Sequence, residues 1–275
     1  MEKKYTFSLE ELAFLLNYKD NQPFAKSLLQ IVYDELKETE TEKIFLTAAH
    51  SLLARNLLTF DEQKQEVFPK PDVEILFNIF NRPSISILLQ KIDFQNDITI
   101  TGNIYNQGDF NISYQSTNGI VHTIKNLSDY ELYAEAKNLL QIEIEKQNIN
   151  IDLEETLPNH VVQEIGNLIT LSIEEGKNIL IENGVKPSHA EVFLNDIKTT
   201  KSIYSVMRLD TQDKGEVISD KGFFIIETAH TQWILSHLED STIFDLSQLD
   251  DNSTFTLSQL SKGNFENGMK TLFIS

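Results

Sequence analysis

The sequence predicts an α+β fold: a quasi-twofold duplicated unit of helices plus antiparallel β-meander, with a winged-helix-like N-terminal helical part. Three observations predict it. Apolar residues recur at helical spacing up to about residue 81 and then switch to alternation over 84–126. Capping boxes and an Asn-Gly turn mark where the two patterns begin and end. After Pro158 the order of helices, strands, a Gly-containing turn and a helix returns.

Ser8-Leu9-Glu10-Glu11 is a capping box that opens a helix to about Asn17. Asn21-Gln22-Pro23 breaks it, and Phe24, Leu28, Val32 and Leu36 recur every four residues as the stripe of a second helix. Phe45, Ala48, Ala49, Leu52, Leu53 and Leu57 mark a third, and Asp61 to Glu66 reads as a wing or hairpin. Val73, Leu76, Phe77 and Phe80 form a fourth stripe, closed by Arg82-Pro83. The meander follows, with Asn118-Gly119 as its hairpin signal, and Ser128-Asp129-Tyr130-Glu131 opens a helix over 128–145. These elements make an N-terminal half, 1–145.

The C-terminal half, 146–275, carries helices over 159–198, strands over 201–227, a helix over 231–238 and a tail. Val161, Ile165, Leu168 and Ile169 form a stripe that Ile179-Leu180 continue to a stop at Asn183-Gly184. Ser188-His189-Ala190-Glu191 reads as a third capping box, and Asp220-Lys221-Gly222 as a turn between strands. Sliding the chain by 117 residues lays Glu74–Gln95 on Glu191–Gln212 without a gap. Glu74, Asn78, Asp93 and Gln95 then meet identical residues, and among the apolar positions compared only Ile79, opposite Asp196, mismatches.

Composition narrows the function. With 40% hydrophobic residues and 17 Phe, the chain can bury a real core, which excludes intrinsic disorder for most of its length. Its 42 acidic residues against 23 basic give a net charge of −19, which repels phosphate backbones and anionic headgroups. The Asp34, Glu35, Glu38, Glu40 and Glu42 carboxylates of the helical part disfavour DNA even for a winged helix. With no Cys, disulfides and thiol chemistry are excluded, and the lack of an apolar leader or span makes a cytoplasmic protein the expectation.

No catalytic constellation stands out. The six His include only a lone His160/Glu164 pair and His230 and His237 around Trp233, with no third ligand in sight. Asp210-Thr211-Gln212-Asp213-Lys214-Gly215 lacks oxygen donors at key calcium-loop positions. The expectation is a non-enzyme without cofactor or metal whose work is binding another protein.

Ala48-Ala49-His50-Ser51-Leu52-Leu53-Ala54-Arg55-Asn56-Leu57-Leu58 resembles the leucine, alanine-arginine-glycine-leucine close of the second long helix in the EspG-like family, cytosolic chaperones of ESX (type VII) secretion. The acidic Pro71–Asn81 segment ending in Arg82-Pro83, and Asp210-Thr211 with Gly215, are similar to further stretches of that family. Asn56 stands where the family commonly has Gly, and Glu216-Val217 where Arg-Tyr is usual. The Lys/Asn/Ile-rich composition suits a divergent Gram-positive (Firmicutes) member. The resemblance implies a chaperone or adaptor that binds a secreted helical protein or toxin of a type VII system and keeps it soluble for export. By position it places docking on Tyr105, Asn106, Gln107, Asp109 and Phe110, and on the helix carrying Val161, Ile165 and Leu168. The alternative is an acidic immunity protein that neutralises a basic toxin, whose affinity would fall as salt rises.

Overall fold

A computed structural model describes residues 3–19, 21–33, 36–117, 119–144, 153–211, 217–237 and 254–273. In chain order the elements begin β1 (Lys4–Ser8), α1 (Leu9–Tyr18), α2 (Gln22–Leu29), α3 (Glu38–Ala54), β2 (Leu58–Asp61), β3 (Glu66–Pro69) and α4 (Pro71–Asn81). Four strands follow, β4 (Ile85–Asp93), β5 (Ile98–Gln107), β6 (Phe110–Thr117) and β7 (Val121–Leu127), then α5 (Leu132–Leu140). After β8 (Glu154–Pro158) come α6 (Asn159–Gln163), α7 (Ile165–Thr170), α8 (Ile173–Glu182) and α9 (Pro187–Ile197). The chain closes with β9 (Ser202–Thr211), β10 (Val217–Glu227), β11 (Gln232–His237), β12 (Thr254–Gln259) and α10 (Lys262–Phe273). The fold is α+β. Two compact units divide it, Met1–Ser84 with Gly102–Leu132, and Ile85–Thr101 with Tyr133–Ser275, so β4 belongs with the second unit.

In the first unit the strand order is β1-β7-β6-β5, antiparallel throughout. Phe7, Ile112 and Ile124 bury against Leu12 and Leu16 of α1 and Val73 and Phe77 of α4, each such side chain contributing on the order of 2 kcal/mol. The capping box at Ser8 forms in both directions: the Glu11 N–H donates to Ser8 Oγ at 3.2 Å, and the Ser8 N–H to Glu11 Oε2 at 3.0 Å. The four-residue recurrence from Phe24 to Leu36 does not make one stripe. Helix α2 ends at Leu29, where Ile31 and Val32 N–H groups tighten the turn onto the carbonyls of Leu28 and Leu29, and Val32 is left exposed. The wing is a real hairpin, β2 paired with β3, its turn held by Asp61 Oδ1 accepting from the N–H groups of Gln63 and Lys64.

Asn56 explains its own motif. It takes φ 59°, with its N–H on the Leu53 carbonyl and the Leu57 N–H on the Leu52 carbonyl, both 2.9 Å. That is a Schellman close, whose left-handed residue is glycine or, next best, asparagine. At the second capping box, Ser128, one 3-10 turn (Asp129–Glu131) leads into α5. The helix stops at Leu140, short of the expected 145, because Gln141 turns left-handed (φ 52°) and the Ile142 N–H bonds back to Lys137. Glu145 itself lies outside the described residues.

Strands of the second unit run β4-β9-β10-β11-β12-β8. The stripe expected from Val161 to Leu180 is cut into α6, α7 and α8, with breaks at Glu164 and at Leu171, which turns extended. Lys198 Nζ satisfies the freed carbonyls of Leu168 (3.0 Å) and Ile169 (2.9 Å). Ser188 is not a cap: α9 starts at Pro187 after Lys186, as α4 starts at Pro71 after Lys70. The capping box of this region is Ser172-Ile173-Glu174-Glu175. Asp220-Lys221-Gly222 is not a turn either, since β10 runs through it with a register irregularity between Ser219 and Gly222. A Cβ on Gly222 would stand 2.9 Å from the Val206 carbonyl oxygen, so the bulge requires glycine.

The helix expected over 231–238 is corrected to a strand. Gln232, Trp233, Ile234 and Leu235 of β11 are all buried, and a strand covered on both faces is an unbroken apolar run that carries no period. His230 and His237 therefore share no helix face, and Leu238 lies outside the described residues. So do Asn118 and most of the Asp210–Gly215 motif. From the unassigned tail emerge β12 and α10.

The 117-residue repeat has a structural counterpart. The five buried residues of α4, Val73, Leu76, Phe77, Ile79 and Phe80, fall on the five buried residues of α9, Ala190, Phe193, Leu194, Asp196 and Ile197. The lone mismatch, Asp196, is a buried carboxylate that accepts from Trp233 Nε1 (2.6 Å) and Thr228 Oγ1 (2.9 Å). Edge strands β1 and β8, each pairing with the last strand of its unit, share one burial pattern. Each is pinned to its helix by a polar contact at matching positions: Tyr5 Oη to Asp72 Oδ2 at 2.7 Å, and Glu155 Oε1 to His189 Nδ1 at 2.5 Å.

Candidate protein-docking surfaces

The β5–β6 hairpin carries the first set of residues expected at a docking surface. Gly108-Asp109 is a two-residue turn with Gly108 at φ 60°, the arrangement that follows strand twist. Asn106 Nδ2 bonds the Gly108 carbonyl (2.9 Å) and Asn111 Oδ1 (2.8 Å), and Gln107 Nε2 reaches the Arg82 carbonyl (3.1 Å). Tyr105 instead packs edge-on to Phe80 at 5.2 Å, where burial holds its phenol well above the usual range. Asp109 and Phe110 are exposed, Phe110 at 53%. Of the five, only this tip presents apolar surface.

The second expected set is not brought to a surface. Val161, Ile165 and Leu168 are buried in the core with Phe193, Trp233 and Leu257. Their periodicity reported a core face, and they offer no side chain to a partner.

Two surfaces were not anticipated. In the second unit the β4–β5 hairpin exposes Phe94 (54%) and Ile98 (50%). Its turn is stiff: Asp93 Oδ1 accepts from the N–H groups of Gln95 and Asn96, both at 3.0 Å, and hydrogen bonds from Asn96 hold the Asp93 carboxyl below its ordinary range. An aromatic inside the Asp/Asn-rich run Asp93-Phe94-Gln95-Asn96-Asp97 was the available signal. In the first unit a cleft of about 430 Å³ lies between α1 and α3, lined by Ser8, Glu10, Tyr33, Ile44, Thr47 and Ala48. Tyr33 also lines a smaller pocket of about 210 Å³ with Ala25, Leu29, Leu36 and Phe45. No sequence pattern announced either, because their walls come from separate elements.

Electrostatics single out Glu10. Its carboxylate accepts from Ser8 Oγ (2.8 Å) and Tyr33 Oη (2.9 Å). Burial pushes its pKa up, but these bonds, a backbone hydrogen bond and the nearby His122 outweigh burial and leave it lowered. Among the described residues no group of three or more His, Asp or Glu is placed to hold a metal ion, and no helix is long and apolar enough to cross a membrane.

The scaffold is α+β, with two similar units and stiff apolar hairpin tips. The chain belongs to the family described as uncharacterised protein YfjC, whose model matches residues 4–258. No curated protein matches it. Among solved structures it is similar to the type VII secretion system chaperone EspG5 of Mycobacterium tuberculosis, solved in complex with a PE25–PPE41 dimer. The TM-score is 0.64 at 10% identity, over 98% of this chain and 95% of that one.

Proposed function

We propose that this protein is a non-catalytic chaperone or adaptor of type VII secretion, which binds a secreted helical protein or toxin in the cytoplasm and keeps it soluble for export. The observation that carries the reading is the likeness in fold to EspG5 across 98% of the chain, which supports a chaperone's role. The hairpin tips suit the task. Phe94, Ile98 and Phe110 are exposed on turns fixed by side-chain bonds, and rigid apolar knobs lose little entropy when a helix packs on them.

The test is purification of the tagged protein from its native host in high salt, followed by mass spectrometry and reconstitution with the partner found. A small helical secreted protein, or a toxin with such a targeting region, in stoichiometric complex is the expected result. The net charge of −19 favours a second reading, an acidic inhibitor of a basic toxin. A basic partner that salt strips away would establish that reading and sink the first.

A further inference from the structure

The first unit holds the Glu10 carboxylate in place with His122 as a basic neighbour, an imidazole whose pKa burial lowers. The Ser8 and Tyr33 hydroxyls hold it on the wall of the cleft between α1 and α3, and among the described residues no lysine or arginine pairs with it. Lys43 lines the same cleft but forms no ion pair with Glu10. Beside the carboxylate the walls combine apolar Ile44 and Ala48 with Thr47, Ser51 and Glu11, the last already paired with Arg55. Beyond the lining, Ile31 and Val32 are more than half exposed, with Ile31 close to Gly119 of the β6–β7 turn.

We propose that this cleft receives an amphipathic helix of the partner protein, its apolar stripe on Ile44 and one lysine or arginine against Glu10. Charge complementarity selects this occupant. A fixed carboxylate in a cleft, paired with no lysine or arginine among the described residues, attracts a cation more strongly than one on an open surface, because less water screens the pair. A second copy of this chain is the wrong occupant, since two molecules each at −19 repel. That the helix comes from a secreted partner rests on the chaperone reading, whereas the chemistry of the cleft does not. The surface is distinct from the hairpin tips, so losing one leaves the other intact.

The probe is a set of synthetic amphipathic helices with one leucine stripe, differing at a single flanking position that is lysine, glutamine or glutamate. Binding to the full-length protein is followed by fluorescence anisotropy. The lysine peptide should bind about tenfold more tightly than the glutamine peptide, a gap of about 1.4 kcal/mol, with the glutamate peptide weakest. Glu10→Gln should erase the ranking. Thr47→Arg, at an exposed position of α3, should supply an internal cation and block the lysine peptide without lowering the melting temperature. Lys43→Gln should leave the ranking in place. Equal affinities, a ranking that survives Glu10→Gln, or no binding by any peptide would overturn the proposal. So would a homodimer that the peptides dissolve, because the cleft would then belong to a second copy. None of these results bears on whether the native partner is a secreted helical protein.

Discussion

Arg55 ties together three pieces of the first unit. Its guanidinium donates to Glu11 Oε2 and to the Thr6 carbonyl, both at 2.5 Å, and lies 5.9 Å from the Phe7 ring. Glu11 is 5% exposed and also accepts from Ser51 Oγ at 2.7 Å, so these donors satisfy its buried oxygens. Arg55→Ala should therefore cost about 2–3 kcal/mol in urea unfolding, mostly from leaving a buried carboxylate short of a cation. Thermal unfolding of Asn56→Val should show a loss of about 1–2 kcal/mol, since a β-branched residue resists the left-handed close. Titration adds a third expectation. Hydrogen bonds from Lys3 and then Tyr5 hold Asp72 at about 2, below its ordinary 3.8. A lowered native pKa means stability that is full above 3.8 and lost as pH falls toward 2, so Asp72→Asn should flatten that part of the acid-unfolding curve. His122 is also lowered, by burial before anything else, from an ordinary value of 6.5. Its contribution is full above 6.5 and declines below, and replacing it with Phe should remove that decline from the urea midpoint.

Among the elements, those legible in the sequence were the ones whose ends carry their own chemistry. Ser8 and Ser128 marked helix starts because a capping box is local, and Gly184 marked a stop because its φ of 91° excludes most side chains. Ser188 failed because Pro187, better suited to the first turn, starts the helix one residue earlier. β11 was misread because complete burial erases alternation, and the Val161–Leu180 stripe because a shared apolar face does not reveal breaks between short helices. The candidate docking surfaces were hardest to read. Val161, Ile165 and Leu168 look the same in sequence whether they face a core or a partner, and the Glu10 cleft exists only once α1 and α3 pack. Strand β10 depends on one glycine. Gly222→Ala places a methyl 2.9 Å from the Val206 carbonyl, which must straighten the bulge or push the neighbouring strand away. A loss of about 1–3 kcal/mol is expected, with amide exchange quickening first in β9 and β10 if the strain stays local.

For the whole molecule, the duplicated plan separates what the scaffold needs from what its surfaces do. The buried positions of α4 and α9 coincide, so packing has been kept, while the staple between edge strand and helix has exchanged roles from Tyr5–Asp72 to Glu155–His189. The exposed apolar residues do not need to coincide, because nothing in the core depends on them. Phe94, Ile98 and Phe110 can therefore be changed at little cost to stability, which makes them a clean test of function. Serine at Phe94 and Ile98 together should leave the melting temperature within a few degrees of the parent and weaken the reconstituted complex by at least about tenfold. Phe110→Ser should have a smaller effect, since a single rim residue contributes less. These losses should persist in high salt, because the contacts are apolar while the net charge of −19 is screened. Parent-like affinity in the double variant, measured with the native partner by calorimetry, would move the docking site away from the β4–β5 hairpin and leave the α1–α3 cleft as the main point of contact.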